Sequence, residues 1–169
     1  ARPEDEAAGQ VAEWTAAVTR LLDQVQAWLS GYATEGLMQP AREAIEIEED
    51  GLGRYATERL VLRLPRGERL ILLPVARQVA GAEGRVDLYR EGHRAQGARL
   101  LRVRDRALGL ATDGQAVVAA PGPGALAWTI LLPEAQPLPW IAGAGTRLLL
   151  GGQALTRETL EATIGSLLG

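Results

Sequence analysis

The chain is 169 residues long, carries a formal net charge of −3 and contains no cysteine. This length favours one domain that buries a core of its own. The absence of cysteine excludes disulfides, thiolate metal sites and thiol nucleophiles.

The composition also bears on the compartment of the protein. The sequence has no run of about 18 apolar residues, so we expect no membrane span and no membrane partner, and we predict a soluble, cytoplasmic protein. The chain begins at Ala1 rather than at a methionine, which leaves a removed leader as an alternative. Lysine, asparagine and phenylalanine are missing, and because their codons are AT-rich, this indicates a GC-rich bacterial genome.

The charges are unevenly distributed along the sequence. Residues 1–58 hold twelve acids and four arginines, which gives a net charge of −8. Residues 59–106 hold twelve arginines and five acids, which gives +7. We interpret these opposed blocks as one sign of a protein that contacts another macromolecule.

An amphipathic helix is predicted over residues 4–30, within an N-terminal segment that spans 1–31. Apolar residues recur there with alternating spacings of three and four, as in a heptad seam. The seam residues that we assign to partner binding are Trp14, Val18, Leu21, Val25 and Trp28. Two alternatives remain for this seam: it docks on the chain's own sheet, or it pairs with a helix of a partner or of a second copy. Gly31 is expected to end the helix, and residues 32–42 to form a connector.

The β-rich core is predicted over residues 43–150. Short apolar segments alternate there with turn signals such as Pro65–Gly67, and this alternation favours hairpins. Strands are expected at 45–48, 59–64, 69–73, 85–90, 99–104, 107–111, 116–120, 125–132 and 147–150. Pro74 is expected to end the third of these strands.

A C-terminal helix is predicted over residues 156–168, with Thr156 as its N-cap. The order of elements is therefore helix, hairpin-linked strands, helix, without a helical crossover between strands. This order predicts the α+β class. The expected fold is a mostly antiparallel sheet of hairpin-linked strands, flanked by a long N-terminal helix and a short C-terminal helix, in a single domain over residues 1–169.

An arginine-rich stretch lies in the middle of the chain. The residues that we assign to a candidate anion-binding face are Arg85, Arg99, Arg102 and Arg104. Guanidinium groups bind carboxylates and phosphates through two parallel hydrogen bonds. Three alternatives stay open: an ordinary charged surface, a site for an acidic protein, or a site for nucleic acid or another anion. Because nucleic-acid-binding sheets usually add exposed aromatic residues and only Tyr89 falls here, nucleic acid is not a favoured partner.

The sequence contains no catalytic or cofactor motif that names a reaction. His93 is the only histidine, it falls in a predicted exposed turn, and no serine or cysteine accompanies it in a nucleophile pattern. Glu46 and Glu48 share a strand face and could hold a hard cation, but a solvated face or ion pairs to a neighbouring strand account for them better. We therefore expect no catalytic residue, no cofactor and no bound metal.

The sequence as a whole favours a non-catalytic protein–protein interaction domain, such as an adaptor, a chaperone-like protein or an accessory subunit. Its expected partner is another protein, or a second copy of the chain, contacted through helix 4–30. The alternative function is an anion- or nucleic-acid-binding module that uses the arginine-rich face between residues 85 and 106. An enzyme would have to use carboxylates, threonine or tyrosine, and no pattern of these residues indicates one.

Overall fold

The predicted α+β class is confirmed by a computed structural model, which describes residues 2–104, 126–132 and 153–169. The helices are α1 (Pro3–Trp28), α2 (Ser30–Thr34) and α3 (Arg157–Leu168). The strands are β1 (Gln39–Glu49), β2 (Gly53–Arg63), β3 (Arg69–Ala76), β4 (Arg85–Arg90), β5 (Ala98–Arg104), β6 (Leu126–Leu131) and β7 (Gln153–Ala154). The predicted strands 107–111, 116–120 and 147–150 lie outside the described residues.

All seven described strands form one antiparallel sheet, and their spatial order is the same as their order in the sequence. Each of β2 to β6 therefore pairs with the strand before it and the strand after it. The predicted turn Pro65–Gly67 joins β2 to β3, and Gly67 adopts a φ of 92°, which a glycine tolerates without strain. β1 lies at one end of the sheet and the two-residue β7 at the other.

Both longer helices contribute to one apolar cluster with one face of the sheet. From α1 the cluster takes a stripe that repeats every three or four residues, as the helical period requires. From the strands it takes alternate residues, because successive side chains of a strand point to opposite faces. Its sheet members include Leu60, Leu62, Leu70, Leu72, Val86, Leu88, Ala98, Leu100 and Ile130, and α3 adds Leu160 and Ile164.

The opposite face of the central strands is buried as well. The intervening residues of the same strands are apolar and almost inaccessible to solvent. They include Val61, Ile71, Tyr89, Leu101, Val103 and Leu131. Strands that are apolar on both faces explain why this part of the sequence reads as nearly continuous hydrophobic runs rather than as clean alternation.

Three local predictions need correction. Gly31 does not end the long helix, because α1 ends at Trp28 and Gly31 lies inside the short helix α2. The predicted connector 32–42 is too long, since β1 already begins at Gln39. Pro74 does not end β3: the strand continues to Ala76 through a shift of register, and proline is tolerated at such an irregularity.

The predicted N-cap of the C-terminal helix is confirmed. The hydroxyl of Thr156 accepts a hydrogen bond from the backbone N–H of Thr159 at 3.2 Å, and the hydroxyl of Thr159 accepts one from the N–H of Thr156 at 2.8 Å. This reciprocal pair satisfies two backbone donors at the start of α3. At its middle, α3 is tied to α2, because the phenol of Tyr32 donates to Glu161 at 3.0 Å.

Candidate functional site

The predicted partner-binding seam of α1 lies in the core of the protein. Trp14, Val18 and Val25 have no exposed surface and Leu21 is 4% exposed, while Trp28 is half-buried and packs against the same cluster. Of the two alternatives for this seam, docking on the chain's own sheet is the one that the structure shows. A partner could reach these side chains only if α1 left the sheet, so the seam has no place in the function proposed below.

Trp14 is the centre of the contact between α1 and the far strands. Its ring centroid lies 6.0 Å from that of Trp128 on β6, at an interplanar angle of 37°, a tilted arrangement that aromatic pairs favour. The ring also lies against Gly84, just before β4. A Cβ atom added to Gly84 would lie 2.2 Å from the nearest ring carbon. Only glycine therefore fits beneath this indole.

Arg102 fastens the same turn of α1 to β5. Its guanidinium is nearly buried and donates from both terminal nitrogens to the carboxylate of Glu13, at 3.1 Å for Nη1 and Oε1. The hydrogen bond from Arg102 lowers the pKa of Glu13, so this carboxylate stays ionised under acidic conditions that would neutralise a free one. Arg102 also lies over the Trp14 ring, 6.0 Å from its centroid. The role of Arg102 that these contacts show is to hold α1 against the sheet.

Arg85 has a similar structural role on the other side of the sheet. It binds both carboxylate oxygens of Asp87, with Nε at 2.7 Å and Nη2 at 3.0 Å. Asp87 is 4% exposed and accepts a further bond from Arg94, whose Nη2 lies 3.0 Å away. The guanidinium of Arg94 also lies 5.6 Å from the centroid of the Tyr89 ring. Two arginines thus compensate one buried carboxylate.

The candidate anion-binding arginines do not form one surface. Arg99 lies opposite Asp87 in the β4–β5 register and therefore shares the face of Arg85, whereas Arg102 lies on the helix-covered face. Arg104 ends β5, opposite Leu126. Arg85 and Arg102 are bound to carboxylates of the chain itself, whereas Arg99 is exposed.

The remaining polar candidates are separate from one another. His93 lies exposed in the turn after β4, where its backbone N–H donates to the carbonyl of Arg90 at 2.8 Å. Glu48 pairs with Arg54 of β2 at 3.5 Å, which is the predicted pairing to a neighbouring strand. Across the described ranges, no group of three or more histidines and carboxylates has a geometry that could hold a metal ion.

An open groove of about 640 Å³ lies between the first turns of α1 and the tip of the β1–β2 hairpin. Its lining is mainly apolar: Ala7, Ala8 and Val11 come from the helix, and Leu52 and Tyr55 from the hairpin. Glu4 and Arg54 supply charged side chains to the same lining. We call this feature the N-terminal groove. Sequence reasoning missed it because its helical side consists largely of alanines, which mark no binding site by type.

The hairpin wall of the N-terminal groove is fixed by one carboxylate. Glu49 accepts a hydrogen bond from the phenol of Tyr55 and further bonds from the backbone N–H groups of Arg77 and Gln78, both at 3.0 Å. Burial, reinforced by the bond to Glu49, raises the pKa of the Tyr55 phenol, which therefore remains neutral at physiological pH. Glu49 thus joins the end of β1 to the segment after β3 and holds Tyr55 in place.

Comparison with known proteins identifies no relative. No protein-family model, no curated protein and no solved structure matches this chain. In the described part of the chain, no helix combines the length and the apolarity that crossing a bilayer would require. Any functional conclusion must therefore start from the surfaces of the molecule itself.

Proposed function

We propose that the protein is a non-catalytic protein–protein interaction domain that binds an apolar segment of a partner in the N-terminal groove. The observation that carries this proposal is the concentration of accessible apolar surface in that groove. In the groove Ala8 and Ala12 are exposed and Val11 and Leu52 are half-buried, whereas Leu37, the exposed large apolar side chain among the described residues at 46%, lies outside it.

The shape of the groove supports a partner segment rather than a small molecule. Small-molecule sites are enclosed and bury most of their ligand. The N-terminal groove is instead open along its length and lies between a helix and a hairpin. An apolar side chain of a partner could rest on Ala7, Ala8 and Val11 while the rest of the segment stays in contact with solvent.

The charge around the groove adds a preference about the partner. The first turn of α1 carries Glu4, Asp5 and Glu6, all of them exposed. A segment with arginine or lysine beside its apolar residues would therefore be attracted to this end of the molecule, and the attraction would weaken with added salt.

The proposal can be tested by selecting peptides from a random 12-residue display library on the immobilised full-length chain. Three proteins are compared: the wild type, Ala8→Glu, which places a charge in the apolar lining, and Gln10→Glu. Gln10 is exposed and lies on the same part of α1 but is not among the residues that line the groove. The two variants thus carry the same added charge on the same element.

The expected result is that peptides enriched on the wild type contain apolar residues, bind Gln10→Glu equally well and lose at least about tenfold in affinity for Ala8→Glu. A loss of this size corresponds to about 1.4 kcal/mol, a reasonable effect for a charge placed in an apolar contact. Enrichment of peptides that bind all three proteins alike would place the interaction elsewhere. A selection that enriches no apolar peptide would also contradict the proposal.

A further inference from the structure

A second surface, separate from the N-terminal groove, is the outer edge of β1. This strand has eleven residues and pairs with β2 along its entire length. It is the end strand of the sheet, and among the described residues no strand lies on its other side. An end strand presents a row of unpaired backbone N–H and C=O groups, which are the groups that bind a further strand.

The charged side chains of β1 indicate which kind of additional strand would fit beside it. Within the β1–β2 ladder, Glu43 lies opposite Arg59 and accepts a bond from its Nε at 2.7 Å. Glu48 likewise lies opposite Arg54, and the two form an ion pair at 3.5 Å. Two of the four carboxylates of β1 are therefore matched by arginines at the facing positions of the adjacent strand.

Two carboxylates of β1 lack such a match: Glu49, opposite Gly53, accepts backbone hydrogen bonds from the segment after β3 instead, and Glu46 is the other. Glu46 is exposed and lies opposite Ala56, and the described part of the chain offers it no ion pair. Glu48 is also largely exposed, with 73% of its side chain accessible. Because both lie on one face, two residues apart, a strand on the open side of β1 would meet a row of negative charge at alternate positions.

Charge also decides between two occupants of this edge. A second copy would bring β1 against β1, and since the strand holds four glutamates and one arginine, the two acidic strands would repel. A basic segment would instead place arginine or lysine beside the carboxylates on the open side of β1, as β2 places Arg54 and Arg59 beside them on the other side. Acidic edges do protect sheets from unwanted pairing, but that protection acts against neutral and acidic strands.

We propose that the outer edge of β1 binds an extended segment of a partner protein that carries arginine or lysine at alternate positions, and that this segment joins the sheet as an additional strand. Main-chain hydrogen bonds supply affinity, and pairs with Glu46 and Glu48 supply specificity. This surface does not use the N-terminal groove, so the proposal stands or falls independently of the function proposed above.

The experiment uses the full chain and three synthetic ten-residue peptides. The first alternates arginine and threonine, and the second replaces every arginine by glutamate. The third has the sequence of the first with every backbone nitrogen methylated, which keeps the charge but removes all main-chain donors. Affinity is measured by fluorescence anisotropy, and exchange of the β1 amide hydrogens by NMR.

Two charge-reversed proteins are compared with the wild type. Glu46→Arg with Glu48→Arg alters the edge, and Glu35→Arg with Glu158→Arg makes the same change of net charge at exposed positions, one at the end of α2 and one on α3, away from both the edge and the N-terminal groove. The arginine peptide should bind the wild type and the helix variant, and slow the exchange of alternate β1 amides. It should bind the edge variant at least about tenfold more weakly, and neither of the other peptides should bind.

Three results would overturn the proposal. Equal binding of the methylated peptide would show an ionic contact without strand addition. Equal affinity of the edge variant and the helix variant would place the peptide elsewhere. Protection of β1 amides that increases with protein concentration, in the absence of peptide, would show that a second copy occupies the edge. The Ala8→Glu variant should bind the arginine peptide like the wild type, which separates this outcome from that of the N-terminal groove.

Discussion

The two parts of α1 differ although they belong to one continuous helix. From Trp14 to Val25 the helix presents large side chains to the sheet, and they are buried. From Pro3 to Ala12 three of the six residues on the side that faces the β1–β2 hairpin are alanines and none is larger than valine among the apolar ones, and there the N-terminal groove remains open. Both parts contain poor helix formers, Gly9 in the first and Thr15 and Thr19 in the second, so helical propensity does not distinguish them and side-chain volume decides which part docks.

The two parts of α1 differ in how much free energy their contact with the sheet contributes. Burial of a large apolar side chain contributes about 1.5–3 kcal/mol, whereas alanine offers only a methyl group. The part from Trp14 onward is further held by the Glu13–Arg102 pair, and no ion pair joins Pro3–Ala12 to the sheet within the described residues. One end of α1 is thus committed to the fold, and the other is available for binding.

The largest effect should follow from Gly84→Ala in the docked part. Because the new methyl group would overlap the buried Trp14 ring, we expect a loss of about 3 kcal/mol in the free energy of unfolding, measured by urea denaturation. Trp14→Leu would make room for that methyl group, so the double variant should lose less than the sum of the two single variants. Simple additivity would show that the two residues do not share this contact.

A smaller effect is expected from Glu13→Gln, which leaves the nearly buried Arg102 without its carboxylate. The loss at pH 7 should be about 1–2 kcal/mol, reduced from that of a fully buried pair because 45% of the Glu13 side chain is exposed. Glu6→Gln on the exposed side of the same helix serves as the control and should change stability little.

The pH dependence of this difference has a defined sign. Because Arg102 lowers the pKa of Glu13 in the folded state, the pair stabilises the fold above the unfolded-state pKa of about 4.3. That contribution is lost as the pH falls through the folded-state pKa. Urea denaturation at pH 7 and at pH 3 should therefore show the wild type and Glu13→Gln converging in acid, and a constant difference would rule out the pair as its cause.

The smallest effect concerns Gly9, in the part of α1 that borders the groove. No atom lies within 4 Å of the position that a Cβ would take there, and the residue is exposed. Gly9→Ala should therefore stabilise the protein by about 0.5–1 kcal/mol, through the better helix propensity of alanine. The same substitution thus has opposite signs at Gly9 and Gly84. A loss of stability at Gly9 would mean that this part of α1 is more tightly packed than described.

Periodicity was sufficient to predict α1, α3 and the positions of β1 to β6, because burial of a regular side-chain pattern marks each of them. It did not predict the short helix α2 or the two-residue β7. The start of β1 was not predictable in this way. Pro40, Ala41 and Arg42 show no apolar alternation, and they belong to the strand because β2 supplies their partners across the ladder. An end strand needs only one such neighbour and tolerates proline.

The candidate sites were harder to predict than the fold. Alternation along β5 already places Arg99 and Arg102 on opposite faces, since they are three residues apart, and this signal could have divided the arginine set. The partners of these arginines could not be read in the same way. Glu13 and Arg102 are 89 residues apart in the sequence, and the N-terminal groove exists only where two distant segments meet.

The order of the strands has a consequence for how the chain folds. Since β1 to β5 each pair with their neighbour in the sequence across connections of eight residues or fewer, this part of the ladder can grow one hairpin at a time. α1, in contrast, is synthesised before all the described strands, yet Trp128, which contacts Trp14, follows Trp14 by 114 residues. The apolar stripe of the newly synthesised helix therefore stays exposed until most of the sheet has formed. During this interval the chain is most prone to misassociation.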